Sequence, residues 1–312
     1  MWYNFCINLA SAICLFLYAV DKFSKEITSL HSQKFSNAIK KACSTNFTAA
    51  LSGCILTAII QSSTAVSSMA VGLVDAGVLS LSSALSVMLG AGVGTSSTAL
   101  LASLKINNLS TILIISGFFL GIHKKQAKYG HIIFYLGLVL VSLEEISYVV
   151  SYVQKDPLFV KLLTHDWSTF TMFWIAVVVT IILQSSSLVT SIVVMLVHSN
   201  TMAIDNAVVA TMGAFSGTTL TAFIVSLKLS KNARKAGLAN LVIVLTVSLL
   251  MLFFVKFFTT IVYLFEDKGF GIAISNIFVR LFGATIGIFI FKAYTNLGGV
   301  DFFKKFSKFK PS

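Results

Sequence analysis

Polar runs are costly inside long apolar stretches, and this chain carries two of nearly the same composition. Gln61-Ser62-Ser63-Thr64 recurs as Gln184-Ser185-Ser186-Ser187, 123 positions later. A second motif keeps that offset: Gly90-Ala91-x-x-Gly94-Thr95 returns as Gly213-Ala214-x-x-Gly217-Thr218. Laying residues 56–106 over 179–229 without a gap gives 20 identities in 51 columns, where chance gives a handful. The chain is therefore a duplication with equivalent polar breaks in both halves. Internal symmetry around a polar break in hydrophobic segments is a signature of secondary transporters.

Composition places those breaks in a membrane. Apolar residues make up 56% of the 312 and charged residues only 11%. A soluble surface needs more charge than that. Uncharged stretches such as 106–122 and 168–197 read as spans, which need ~20 apolar residues. Residues 1–20 lack a basic start and a small-residue cleavage site, so they read as a first helix and not a cleaved leader. Cys6, Cys14, Cys43 and Cys54 have no metal-ligand spacing and read as packing thiols.

The expected fold is an all-α polytopic membrane protein. It has two inverted repeats, each with a re-entrant helical hairpin and a broken transmembrane helix. Residues 1–46 hold the first helix, at about 4–20, and a basic amphipathic surface segment. Repeat one covers 47–153, a linker 154–167, repeat two 168–292, and a basic cytoplasmic tail 293–312. Within the repeats, 47–74 and 168–197 are interrupted by the Gln-Ser-Ser runs. The stretches 79–104 and 203–227 are expected to break at their glycines.

Charge selects between topologies. If both Gln-Ser-Ser segments are hairpins and the N-terminus is outside, the regions 21–46, 123–130, 228–237 and 292–312 share one face. That face holds 17 of the 23 Lys and Arg, which marks it as cytoplasmic. Reading both segments as single spans destroys the bias. The hairpin topology sends hairpin one in from the cytoplasm and hairpin two from outside, which makes the repeats inverted. The net charge of +12 then belongs to topology and lipid headgroups, not to a nucleic-acid partner.

Backbone that leaves a helix at mid-membrane is tolerated only where protein or a water-filled cavity satisfies it. The helix that starts at each Gln-Ser-Ser tip presents free N–H groups and a positive dipole end, with hydroxyls from Ser63, Thr64, Ser186 and Ser187 beside them. That combination suits an oxyanion. The helix that ends at the tip offers carbonyls, and the Gln side chain adds another, which suits a small hard cation. No Lys or Arg lies near either tip in sequence. A di-anion there must be neutralised by dipoles, hydroxyls and co-bound cations, unless Lys256 or Arg280 in the flanking spans supplies positive charge.

Other chemistries fit less well. Residues 90–96 lack the Lys of a phosphate loop. The five histidines are scattered without ligand spacing. A serine hydrolase needs a base, and no His or Asp flanks the tips. The chain is not expected to be an enzyme or to need a cofactor beyond sodium as a coupling ion.

At these motifs the chain resembles the type II sodium/phosphate cotransporter family, including its bacterial members. The family's mark is a Gln-Ser-Ser-Ser motif in each of two inverted repeats, followed by Gly-Ala-Asn-x-Gly-Thr. The resemblance spans about residues 5–292 and implies a sodium-coupled symporter of inorganic phosphate in a bacterial inner membrane. It implies phosphate contacts from Gln61, Ser62, Ser63, Thr64, Gln184, Ser185, Ser186 and Ser187. Sodium is expected at Gln61, Thr95, Ser96, Gln184, Thr218 and Thr219. The sequence departs from the family at Thr64, and at Gly92 and Phe215, which replace the motif's Asn in both repeats. Ala233-Arg234-Lys235-Ala236 is kept, but Asn240, Ile243 and Val244 stand where bacterial members carry His, Phe and Asn. The cytoplasmic domain that follows the core of many bacterial members is not in this sequence. These losses keep alternatives open: an exporter, a channel-like protein, or a transporter of another anion on the same fold.

Overall fold

The computed structural model describes residues 2–42, 45–103, 108–123, 126–153 and 167–296. Nearly all of the linker and the C-terminal tail lie outside them. Every element among the described residues is a helix. Six stretches are long and apolar enough to cross a membrane: Phe5–Ser29, Leu81–Ser103, Ala127–Val149, Ile204–Ser226, Lys231–Tyr263 and Lys268–Ala293. Large apolar side chains such as Ile112, Phe118, Phe119, Ile182 and Phe289 stand exposed on the outside. In water that surface would be a liability; against lipid it is the favoured one. The chain is an all-α polytopic membrane protein.

Helix α1 (Trp2–Ala42) runs on through the segment expected to lie on the membrane surface. Neither Gly nor Pro interrupts residues 2–42, and Asp21 pairs with Lys25 one turn later at 2.8 Å. The apolar span within it, Phe5–Ser29, runs past Asp21, so the charge change there ends neither the helix nor the span. Next come α2 (Asn46–Ile60) and α3 (Ser63–Asp75), which form the first hairpin. Thr45 opens α2 with a reciprocal capping box to Thr48. Then follow α4 (Leu81–Gly94), α5 (Ser96–Ser103), α6 (Leu109–Ile122) and α7 (Ala127–Val153).

The second half repeats the order. Helices α8 (Thr169–Leu183) and α9 (Ser186–His198) form a second hairpin, followed by α10 (Ile204–Ser226). Helix α11 (Lys231–Met251) passes through one 3₁₀ turn into α12 (Val255–Tyr263), and α13 (Lys268–Asn296) closes the described chain.

The first glycine motif ends its helix at Gly94, near the expected break, but the second does not break its helix. Helix α10 is continuous through Gly213 and Gly217, and α4 is continuous through Gly90 and Gly92. The interruption between α4 and α5 is a tight turn at Thr95, whose backbone stays right-handed at φ −61° and ψ −22°. The glycines let helices touch backbone to backbone. A Cβ at Gly90 would collide with the Ala50 carbonyl of α2, and one at Gly213 with the Phe173 carbonyl of α8. Gly94 and Gly217 likewise press on Thr57 and Thr180. The motif therefore clamps each hairpin to the long helix that follows it, as small residues do between membrane helices.

A polar contact marks the open end of each hairpin. Asp75, at the open end of the first, accepts a 2.7 Å hydrogen bond from the Ser230 N–H, just before α11. His198, at the open end of the second, lies 2.9 Å from Asp267, beyond α12. Ser230 and Asp267 flank opposite ends of the Lys231–Tyr263 span, so the two hairpins open at opposite ends of the molecule.

Candidate functional site

Each hairpin reverses on a single strained residue. Gln61 ends α2 with φ 58°, and Gln184 ends α8 with φ 52°. The left-handed region costs a side-chain-bearing residue roughly 1–2 kcal/mol, and two duplicated glutamines both adopt it. Strain of this kind collects at functional sites. The following residue then opens the next helix. Ser62 Oγ accepts the Ala65 N–H at 3.2 Å, and Ser185 Oγ accepts the Leu188 N–H at 3.3 Å. The N–H groups of Ser63 and Thr64, and of Ser186 and Ser187, come too early in their helices for an intrahelical acceptor.

The two tips share one cavity of about 460 Å³. Gln61, Ser62, Ser63 and Thr64 line it from one hairpin, and Gln184, Ser185, Ser186 and Ser187 from the other. All eight residues expected to contact the anion are thus brought together across 123 positions of sequence. Helix α1 supplies a third wall, from Leu17, Val20, Asp21, Ser24, Lys25 and Thr28. Sequence reading missed this wall, although its spacing of three and four residues traces one helical stripe. Asp21 and Lys25 neutralise each other there, so the lining carries no net charge. Two helix N-termini and at least six hydroxyls therefore dominate the electrostatics, and both favour an anion.

The tips are equivalent in backbone but not in side-chain bonding. The Gln61 amide is tied down: its Nε2 donates to Ala58 O at 2.6 Å and Ser97 Oγ at 2.8 Å, while its Oε1 accepts from Thr98 Oγ1 at 2.7 Å. Gln184 lines the cavity as an exposed residue. Its equivalents of Ser97 and Thr98 are Leu220 and Thr221, and Thr221 bonds back to Thr218 O. The tip glutamine of the first hairpin is bonded to α5, and that of the second makes no equivalent bond among the described residues.

The residues expected to hold sodium divide. Gln61, Gln184 and Thr218 line the cavity. Thr218 Oγ1 bonds to Ala214 O at 3.0 Å, leaving acceptor capacity on the hydroxyl. Thr219 is buried and borders a second, smaller cavity behind the first tip. Thr95 Oγ1 bonds to Ala91 O, and Ser96 Oγ accepts from Asn276 Nδ2 at 3.3 Å. Neither Thr95 nor Ser96 is among the residues lining either cavity.

Lys256 and Arg280 differ sharply. Lys256 reaches an exposed position and pairs with Asp205 at 2.7 Å. Arg280 is 1% exposed, the largest fully buried side chain among the described residues. Its Nε donates to Asn276 Oδ1 and its Nη1 to Gly92 O, both at 3.0 Å. The guanidinium lies 5.1 Å over the Phe215 ring. Burying a charge so far from sequence neighbours of the tips left no sequence signal beyond its place inside an apolar span.

These features define a polytopic membrane protein whose two polar hairpin tips meet in an anion-favouring cavity. The Na+/Pi-cotransporter family model matches residues 15–148 and 158–293. The chain belongs to that family. It is 26% identical over 251 residues to the uncharacterized protein YqeW of Bacillus subtilis (strain 168), covering 79% of this chain and 82% of that one. It is 26% identical over 253 residues to the putative inorganic phosphate export protein YjbB of Escherichia coli (strain K12). That match takes in 80% of this chain and 47% of YjbB, so the chain spans about half the length of that relative. No solved structure matches the chain significantly.

Proposed function

We propose that the chain carries inorganic phosphate across the membrane, with the anion held between the two hairpin tips and sodium bound beside it. The observation that carries this reading is the single cavity of about 460 Å³ lined by both Gln-Ser-Ser runs. A site between opposed hairpins can be exposed to either side by rocking one hairpin group against the other. The opposite openings of the hairpins, and the duplication beneath them, fit two inverted repeats. Uncharged oxygen ligands at Gln184 and Thr218 suit a monovalent cation that must leave again. Because anion and cation would bind as one neutralised cluster, each raises the affinity for the other, which is the basis of coupling.

Export is the second reading, favoured by the name of the YjbB relatives, putative inorganic phosphate export proteins. Binding at the tips is common to both readings, and only the driving gradient differs. The test is radiolabelled phosphate flux in proteoliposomes under imposed sodium, proton and potassium gradients, with sulfate as competitor. Uptake driven by inward sodium supports the symporter. Phosphate exit unaffected by sodium supports the exporter, and absence of phosphate flux under every gradient overturns both.

A further inference from the structure

Arg280 is a buried cation without a carboxylate. Among the described residues no Asp or Glu lies within ion-pair distance of it. Two of its nitrogens are satisfied by neutral acceptors, and Nη2 has no hydrogen-bond partner. An uncompensated charge in a low-dielectric interior is among the most expensive groups a protein can hold. A structural staple between α13 and α4 would not need it, because an uncharged amide can make both neutral hydrogen bonds.

Its surroundings are built for it. Gly92 and Phe215 occupy equivalent positions of the duplication, 123 residues apart. In the structure they meet: a Cβ at Gly92 would collide with the Phe215 ring. Gly92 thereby exposes its carbonyl to Nη1, and Phe215 offers its ring face to the guanidinium. Where both halves depart from the repeated amide of the motif, the chain has installed a seat for a cation of its own.

That seat opens toward the first tip. Arg280 lines a cavity of about 20 Å³ together with Ser63, Thr64, Ser67, Thr218 and Asn240. Asn240 also has a buried oxygen without a partner. Ser63, Thr64 and Thr218 line the large cavity as well. An oxyanion at the N-terminus of α3 therefore has the guanidinium behind the same helical turn. We infer that Arg280 is the resident countercation of the transported oxyanion, donating from Nη2 when the anion is bound at the first tip. This rests on the phosphate reading above and adds a specific claim to it. One positive charge of the loaded site is fixed in the protein, so fewer mobile cations are needed to neutralise the anion.

The sequence makes a direct test possible, because it contains two arginines, Arg234 and Arg280. Arg234→Lys leaves Arg280 as the sole guanidinium in protein labelled with ¹⁵N-arginine. Solid-state NMR then measures ³¹P dephasing of the guanidinium nitrogens in phosphorus-free galactolipid bilayers with inorganic phosphate added. A parallel sample in phosphatidylglycerol without inorganic phosphate reports contact with lipid headgroups. The inference expects dephasing in the first sample and none in the second. Radiolabelled phosphate binding to the same preparation separates the two levels of failure. Normal binding without dephasing overturns the role of Arg280 and leaves the phosphate site intact; no binding overturns both. Dephasing in the lipid-only sample assigns the guanidinium to a headgroup and also overturns the inference. In a second arm, Arg280→Gln lowers phosphate affinity roughly tenfold or more and raises the sodium needed for half-saturation. Wild-type values for both in folded protein contradict the proposal.

Discussion

Ser186 offers the cleanest perturbation of the anion site. It is the first residue of α9, 2% exposed, and it lines the large cavity. The anion would be its hydroxyl's partner, so Ser186→Ala removes one donor to a charged ligand and leaves the backbone of the tip unchanged. Hydrogen bonds to charged groups contribute about 1.5–3 kcal/mol net. That corresponds to roughly 13- to 150-fold in phosphate affinity. Because the helix N-terminus itself is retained, binding is weakened and not abolished. Coupling then lowers apparent sodium affinity in the same preparation. The assay is equilibrium binding of radiolabelled phosphate to purified protein across a sodium series, with thermal unfolding of the ligand-free protein as control. Unchanged unfolding with weakened binding is the expected result. Wild-type phosphate affinity in Ser186→Ala would refute the claim that the hydroxyls at the tip hold the anion.

Other outcomes follow from the same geometry. Gly90→Ala and Gly213→Ala each drive a Cβ into a neighbouring carbonyl and should lower thermal stability by about 1–3 kcal/mol, measured by unfolding in detergent. Lys256→Gln should leave phosphate binding and flux unchanged, because Lys256 and Asp205 form an exposed pair and such pairs contribute little; a loss of phosphate affinity would contradict this. Thr218→Val should weaken the sodium dependence of phosphate binding more than it weakens folding, and wild-type sodium activation would remove Thr218 from the cation site. Asp75 is held below the usual carboxylate range by the Ser230 N–H. Its contact is therefore complete above the ordinary carboxylate pKa and is lost as pH falls through the depressed value, so Asp75→Ala should flatten the acid limb of the stability profile.

Much of this architecture was legible because polarity in an apolar span is costly and so leaves a mark. The Gln-Ser-Ser runs located both hairpin tips, and the 123-residue offset paired them. The glycines were legible as a motif but not in their purpose. A glycine that opens a helix and one that admits a neighbouring backbone look alike in one dimension, and Gly90 and Gly213 are of the second kind. The contribution of α1 to the cavity was hidden because a helix face is chosen by its partners, and the Asp21–Lys25 pair read as a surface. Arg280 lay furthest from view. Its meaning depends on Gly92 and Asn276, and on Phe215, which reads as a plain loss of an amide until the ring is seen under the guanidinium.

The central claim is that two distant hairpin tips form one anion site. Binding stoichiometry tests it most directly: radiolabelled phosphate is titrated onto wild-type protein, onto Ser63→Ala, onto Ser186→Ala and onto the double variant. The account predicts one phosphate per chain, with each single change weakening that same site and the double change weakening it further. Two phosphates per chain, with each variant losing one and sparing the other, would contradict it.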